Sequence, residues 1–169
     1  MKNIYLIGMP GCGKSTIGKH ISKILKRKYI DLDEAIESAT KLTIKQLFDF
    51  SENHFRQIEA QTLKGISNSK DLIVATGGGI ITKEINIDLL SYTGFVIYIN
   101  RPLDEIVKDI DIQRRPLLNK DATVLFEIYA KRKELYERCA HVTISNCGTI
   151  EDVINNVVKE IKNYETDGH

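Results

Sequence analysis

The sequence has no surplus of charge. Lysines and arginines number 24 against 23 aspartates and glutamates, leaving +1 with the histidines neutral. A general nucleic-acid binder carries a basic surplus, so the overall field argues against that class and leaves room only for local basic pockets. Cysteine is scarce: Cys12, Cys139 and Cys147 are odd in number and lack paired metal-ligand spacing. They read as reduced thiols, not as a zinc site or a disulfide framework. Long apolar runs are missing as well, and nothing approaches the roughly 18 residues of a membrane span. The run Ile4-Tyr5-Leu6-Ile7 is short and is followed by Gly, Pro and Lys, unlike a secretory leader. Internal repeats and low-complexity stretches are absent. The expectation is a cytoplasmic protein with neither nucleic acid nor membrane as partner.

What is present fits one domain spanning residues 1–169. Three apolar runs read as strands buried on both faces: Ile4 to Ile7, Leu72 to Ala75 and Phe95 to Ile99. Weaker candidates are Tyr29-Ile30 and Val142-Thr143-Ile144. Ile17, Ile21, Ile24 and Leu25 mark one face of a first helix. Ile150, Val153, Ile154, Val157, Val158 and Ile161 mark a last one, with Thr149 as its N-cap and Asp152 three residues on. Strands alternating with helices predict an α/β fold, a three-layer parallel sheet of about five strands flanked by helices. Two stretches break the alternation. Glu34 to Ser69 reads as several helical pieces, and Lys108 to Asp121 is polar and interrupted by Pro116. Both read as insertions on one core.

Chemistry enters at Gly8-Met9-Pro10-Gly11-Cys12-Gly13-Lys14-Ser15, which satisfies the Walker A pattern G-x-x-x-x-G-K-[ST] between a predicted strand and a predicted helix. Glycines let main-chain N–H groups converge on phosphate oxygens, and the helix adds its free donors and positive dipole end. Lys14 can reach the β- and γ-phosphates of a nucleotide, and Ser15 can ligate Mg²⁺. Gly11, Cys12, Gly13, Lys14, Ser15 and Thr16 are therefore the expected ATP-binding residues. Cys12 within the loop could make ATP binding sensitive to thiol modification, or be a passive small residue there.

Further candidates follow in chain order. Asp31 and Asp33 lie near the carboxyl end of the second strand, where α/β folds bind ligands. Extended alternation would point them to opposite sides; a simpler reading makes them caps of a helix starting at Glu34. Arg56 and Glu59, three apart, share a helical face, as would an ordinary exposed ion pair. Thr76-Gly77-Gly78-Gly79 follows the third strand and offers free amides at close backbone approach, or a plain tight turn. No Asp stands at the end of that strand, where many Walker A proteins keep a second acid. Arg114 and Arg115 lie in the polar insertion, and Arg132 on a basic, exposed helix.

In this order the set Asp31-Leu32-Asp33, Phe55-Arg56-Gln57-Ile58-Glu59, Thr76 to Gly79, Arg115-Pro116-Leu117-Leu118 and Arg132-Lys133-Glu134-Leu135-Tyr136, together with the Walker A loop, resembles the shikimate kinases. The resemblance implies a P-loop kinase of the nucleoside-monophosphate-kinase-like plan. It places an acceptor-binding insertion at 32–60 and a lid at 109–121. It further implies ATP-dependent transfer to the 3-hydroxyl of shikimate, a step of aromatic amino-acid biosynthesis. Asp31 would hold a Mg²⁺-bound water, and Asp33 would bond the acceptor hydroxyls and act as base. Arg56, steadied by Glu59, and Arg132 would grip the carboxylate. Gly77, Gly78 and Gly79 would line the acceptor site, and Arg115 would close on the phosphates. Lys14, Asp33 and Arg115 are thus the expected catalytic residues. Many relatives pack an arginine from the last strand's exit on adenine, and Ser145-Asn146-Cys147-Gly148 offers none.

Two rivals remain. The loop also resembles that of adenylate kinases, and gluconate kinases share the plan, but base-recognition residues for a nucleotide acceptor are not found. A nucleotide switch without acceptor would bind and slowly hydrolyse ATP or GTP, although the N-K-x-D signature of GTP specificity is missing. No helix shows an unexplained second apolar stripe, so a monomer is expected.

Overall fold

The structure is a computed structural model that describes residues 1–109 and 122–168. Five strands form one sheet, β1 (Asn3–Ile7), β2 (Lys28–Asp31), β3 (Leu72–Ala75), β4 (Gly94–Asn100) and β5 (Val142–Ser145). Their order is β2-β3-β1-β4-β5, and every pairing is parallel. All five are the runs that the sequence marks. β1 is buried along its whole length because it lies mid-sheet with helices on both faces. Buried Asn3 pins the start of β3, accepting from Leu72 N at 3.1 Å and donating to Ser69 O at 2.9 Å.

The helices are α1 (Lys14–Leu25), α2 (Leu32–Thr40), α3 (Ile44–Phe50), α4 (Glu52–Ser67), α5 (Glu84–Thr93), α6 (Leu103–Asp109), α7 (Ala122–Cys139) and α8 (Ile150–Thr166). α1 packs on α8, while α4, α5 and α7 pack together elsewhere. Among the described residues no helix is long and apolar enough to cross a membrane. The helical pieces expected between 34 and 69 are α2, α3 and α4. Thr43 and Gln46 form a capping box at α3, and Ser51 caps α4, which sets the two breaks in this stretch.

Three details differ from the sequence reading. Ile24 is 54% exposed. Each residue turns a helix by about 100°, so a buried arc centred on Gly18, Ile21 and Leu25 leaves Ile24 at its edge. Ile150 is also exposed, because it opens α8 ahead of the buried stripe Val153 to Ile161. The helix expected at Glu34 begins at Leu32, with Asp31 as its N-cap.

Candidate active site

All five strands direct their carboxyl ends to one side of the parallel sheet, and each exit supplies a polar element: the Walker A loop, Asp31, Thr76 to Gly79, Arg101 and Asn146. This is where open α/β sheets bind ligands. The loop after β1 turns into α1 through Gly13, whose φ of 102° suits glycine. Lys14 is buried, and its Nζ donates to Gly8 O at 2.8 Å and Met9 O at 2.9 Å. The ammonium is thereby held over the loop it would share with phosphates. Cys12 is 0% exposed, and its N–H is bonded to Met9 O at 3.2 Å. Burial of that thiol favours the passive role over sensitivity to thiol modification. The exposed thiol is Cys147.

Ser15 Oγ donates to Asp31 Oδ2 at 2.8 Å. Asp31 Oδ1 accepts from Asp33 N at 3.1 Å and Glu34 N at 3.5 Å, so the capping reading holds for Asp31 while its other oxygen faces the loop. A hydroxyl and a carboxylate are hard oxygen donors, which suit Mg²⁺. No group of three or more His, Cys, Asp or Glu side chains among the described residues could hold a metal by itself. A cation at Ser15 and Asp31 would complete its shell with phosphate oxygens and water, as Mg²⁺ does in kinases. The residues present fit the ion.

Asp33 sits in the first turn of α2 rather than on the strand, which corrects the expected alternation. Its Oδ1 is buried without a hydrogen-bond partner. Burial raises its pKa above the ordinary carboxylate value and the charge of Asp31 adds to the rise, while Lys14 and Arg56 oppose it. Arg56 and Glu59 form a buried pair, not an exposed one: they are 4% and 0% exposed, and Arg56 Nη1 donates to Glu59 Oε2 at 2.7 Å. The guanidinium also lies 5.0 Å from the Phe55 ring centroid and 5.6 Å from that of Phe48. Burial raises the Glu59 pKa, and Arg56 pulls it back.

The glycine triplet is required by its neighbours. A Cβ on Gly77 would stand 2.9 Å from Glu59 Oε1 and 3.0 Å from Asp33 Oδ1, and one on Gly79 would overlap the Arg56 guanidinium. Gly78 O accepts from Arg132 Nη1 at 3.2 Å and from the Tyr136 hydroxyl. A cavity of about 540 Å³ brings Lys14, Ser15, Asp31, Asp33, Arg56 and Arg132 to the triplet. Of five buried side-chain polar atoms without a partner among the described residues, three belong to its lining: Asp33 Oδ1, Arg56 Nε and Glu59 Oε1.

A second cavity, of about 580 Å³, opens on the other side of the loop, where Gly13 and Thr16 meet Arg101, Pro102, Asn146 and Ile150. Asn146 Nδ2 donates to Cys12 O at 2.8 Å, and Arg101 Nη1 donates to Gly11 O at 3.3 Å. Neither residue was singled out from the sequence. The available signal was position, since each is the first residue past a strand's carboxyl end. Arg114 and Arg115 lie outside the described residues, as does the lid expected at 109–121 apart from Asp109.

A family model described as shikimate kinase matches residues 10–162. The chain is 46% identical over 164 residues to the shikimate kinase of Clostridium botulinum (strain Eklund 17B / Type B), covering 96% of this chain and 99% of that one. It is 43% identical to the shikimate kinase of Clostridium beijerinckii, covering 96% and 94%. The solved shikimate kinase from Acinetobacter baumannii in complex with shikimate superposes with a TM-score of 0.92 at 34% identity, covering 97% of this chain and 94% of that one. With an arginine pair and a buried carboxylate beside a Walker A loop, and with these likenesses over nearly its whole length, the chain belongs to the shikimate kinase family.

Proposed function

We propose that the chain transfers the γ-phosphoryl group of ATP to the 3-hydroxyl of shikimate, giving shikimate 3-phosphate and ADP. The observation that carries this reading is the trio of unpartnered buried polar atoms on Asp33, Arg56 and Glu59, beside the loop that cradles phosphates. An acceptor with both a carboxylate and neighbouring hydroxyls would give those atoms partners. An arginine fork suits a carboxylate better than a lysine would, and Arg56 and Arg132 face the cavity from α4 and α7. The hydroxyl would then lie against Asp33, which orients it and takes its proton.

ATP would run across the loop between the two cavities, its phosphates on Gly11 to Thr16 and its base toward Arg101 and Asn146. Shikimate kinases work with Mg²⁺ and ATP, and here Ser15 with Asp31, through water, would hold the ion. When bound, Mg²⁺ neutralises charge on the phosphate oxygens. Lys14, and Arg115 from the segment outside the described residues, would stabilise the transferring group, so the rate gain is positioning and electrostatics.

Coupled ADP-release assays with a panel of acceptors test the reading. Shikimate should give turnover at least a hundredfold above gluconate or nucleoside monophosphates, roughly what loss of one or two buried hydrogen bonds implies. Equal rates with all acceptors, or ATP hydrolysis indifferent to shikimate, would overturn it.

A further inference from the structure

Tyr29 and Asp31 stand two apart on β2 and so share one face of that strand, while Ser15 and Gly18 stand three apart on α1 and share one face of that helix. The two faces meet. The Tyr29 ring lies against α1 where Gly18 leaves room, since a Cβ there would come within 2.6 Å of the ring's Cε2. Lys19 Nζ lies 5.8 Å from the ring centroid. So seated, the phenol donates to Asp31 Oδ2 at 3.1 Å, the same oxygen that accepts from Ser15 Oγ at 2.8 Å.

Asp31 is thereby fixed at both oxygens, by main-chain N–H groups at Oδ1 and by two hydroxyls at Oδ2. A hydroxyl has one hydrogen and two lone pairs, so Ser15 can keep its bond to Asp31 while offering a lone pair to a cation. Tyr29 does not itself line the acceptor cavity, and its hydroxyl bonds only to the pair, to the Asp31 carboxylate and the Ser15 hydroxyl beside it. Groups that orient a metal-holding carboxylate from behind govern cation affinity.

We propose that Tyr29 is a positioning residue for the Ser15–Asp31 pair, and that its hydroxyl sets how tightly the nucleotide-bound site holds its divalent cation. The proposal rests on the reading of that pair given under Proposed function.

The test is Tyr29→Phe in the full chain, which keeps the ring over Gly18 and removes one oxygen. Mn²⁺ binding to the ADP complex is followed by electron paramagnetic resonance of the free ion, with Asp31→Asn measured alongside. Tyr29→Phe should raise the Mn²⁺ dissociation constant about tenfold. ADP affinity without metal, the melting temperature and kcat at saturating Mg²⁺ should stay as in the parent, while the Mg²⁺ concentration for half-maximal rate rises in step. Mn²⁺ affinity equal to the parent's in Tyr29→Phe, with Asp31→Asn weakened, would overturn the proposal and leave the metal site standing. Unchanged affinity in Asp31→Asn would remove the metal site and the proposal with it. Metal-free ADP binding weakened as much as Mn²⁺ binding would assign Tyr29 to loop shape and also overturn it.

Discussion

Arg56 and Glu59 bond at 2.7 Å one helical turn apart on α4, with almost no solvent at either side chain. A pair so buried is held by its own geometry, because removing Arg56 strands the Glu59 charge, and removing Glu59 leaves the guanidinium only the exposed Glu52 at 3.4 Å. Breaking a buried pair by deleting one member costs about 3–5 kcal/mol. Glu59→Ala should therefore lower the urea midpoint sharply and raise KM for shikimate as Arg56 loses its orientation. A loss under about 1 kcal/mol, the surface-pair level, would show that solvent reaches the pair.

Gly79 offers a test of the same arginine without touching a charge. Its missing Cβ is the space that the Arg56 guanidinium fills. Gly79→Ala should push the guanidinium aside and raise KM for shikimate about tenfold or more, on the scale of one charge-assisted hydrogen bond. The dissociation constant for ADP should not change, since Gly79 does not line the nucleotide-side cavity. A rise in both constants alike would mean that the whole triplet had moved.

The layout of strands was legible because parallel strands buried on both faces leave continuous apolar runs, as in Leu72 to Ala75 and Phe95 to Ile99. Most residues that line the first cavity were marked by the sequence too, through spacing and family resemblance. What periodicity could not convey was depth. It marks Ile24 and Ile150 as apolar positions but not that one lies at the edge of its helix's buried arc and the other ahead of it. The Arg56–Glu59 spacing fits an exposed pair equally well, and its burial depends on Phe48 and Phe55, which surround the guanidinium from α3 and α4. Arg101 and Tyr29 act through tertiary contacts to the loop and to Asp31, and no local pattern announces such a contact.

Asp33 links stability to pH. Its folded pKa is raised, chiefly by burial, so the folded state binds more protons than the unfolded one between the ordinary value of about 4 and the raised value. Stability from this group is present below about pH 4 and is lost as pH rises through the folded pKa. Asp33→Asn removes that loss. The variant should melt higher than the parent at pH 7–8, and the gap should narrow toward pH 4, while turnover nearly vanishes and ATP binding persists. A variant that melts lower than the parent at pH 8 would contradict the burial cost, and one that turns over normally would contradict the role as base.

The second cavity predicts a pattern of thiol reactivity opposite to the one its sequence position suggests for Cys12. Cys147 is exposed and lines that cavity with Gly13 and Thr16, whereas Cys12 is fully buried under the loop. Iodoacetamide should therefore label Cys147 well before Cys12, as peptide mass mapping would read. The adduct extends into the space assigned to the base of ATP, so KM for ATP should rise severalfold while KM for shikimate stays constant. Cys147→Ser should be active and indifferent to the reagent. Arg101→Ala gives an independent reading of the same space, because its guanidinium bridges Gly11 O and Asp109 Oδ2 along the cavity wall. It should raise KM for ATP with little effect on shikimate. If alkylated protein and Arg101→Ala both kept the parental KM for ATP, the base would have to lie elsewhere, and the path of the nucleotide across the loop would need redrawing.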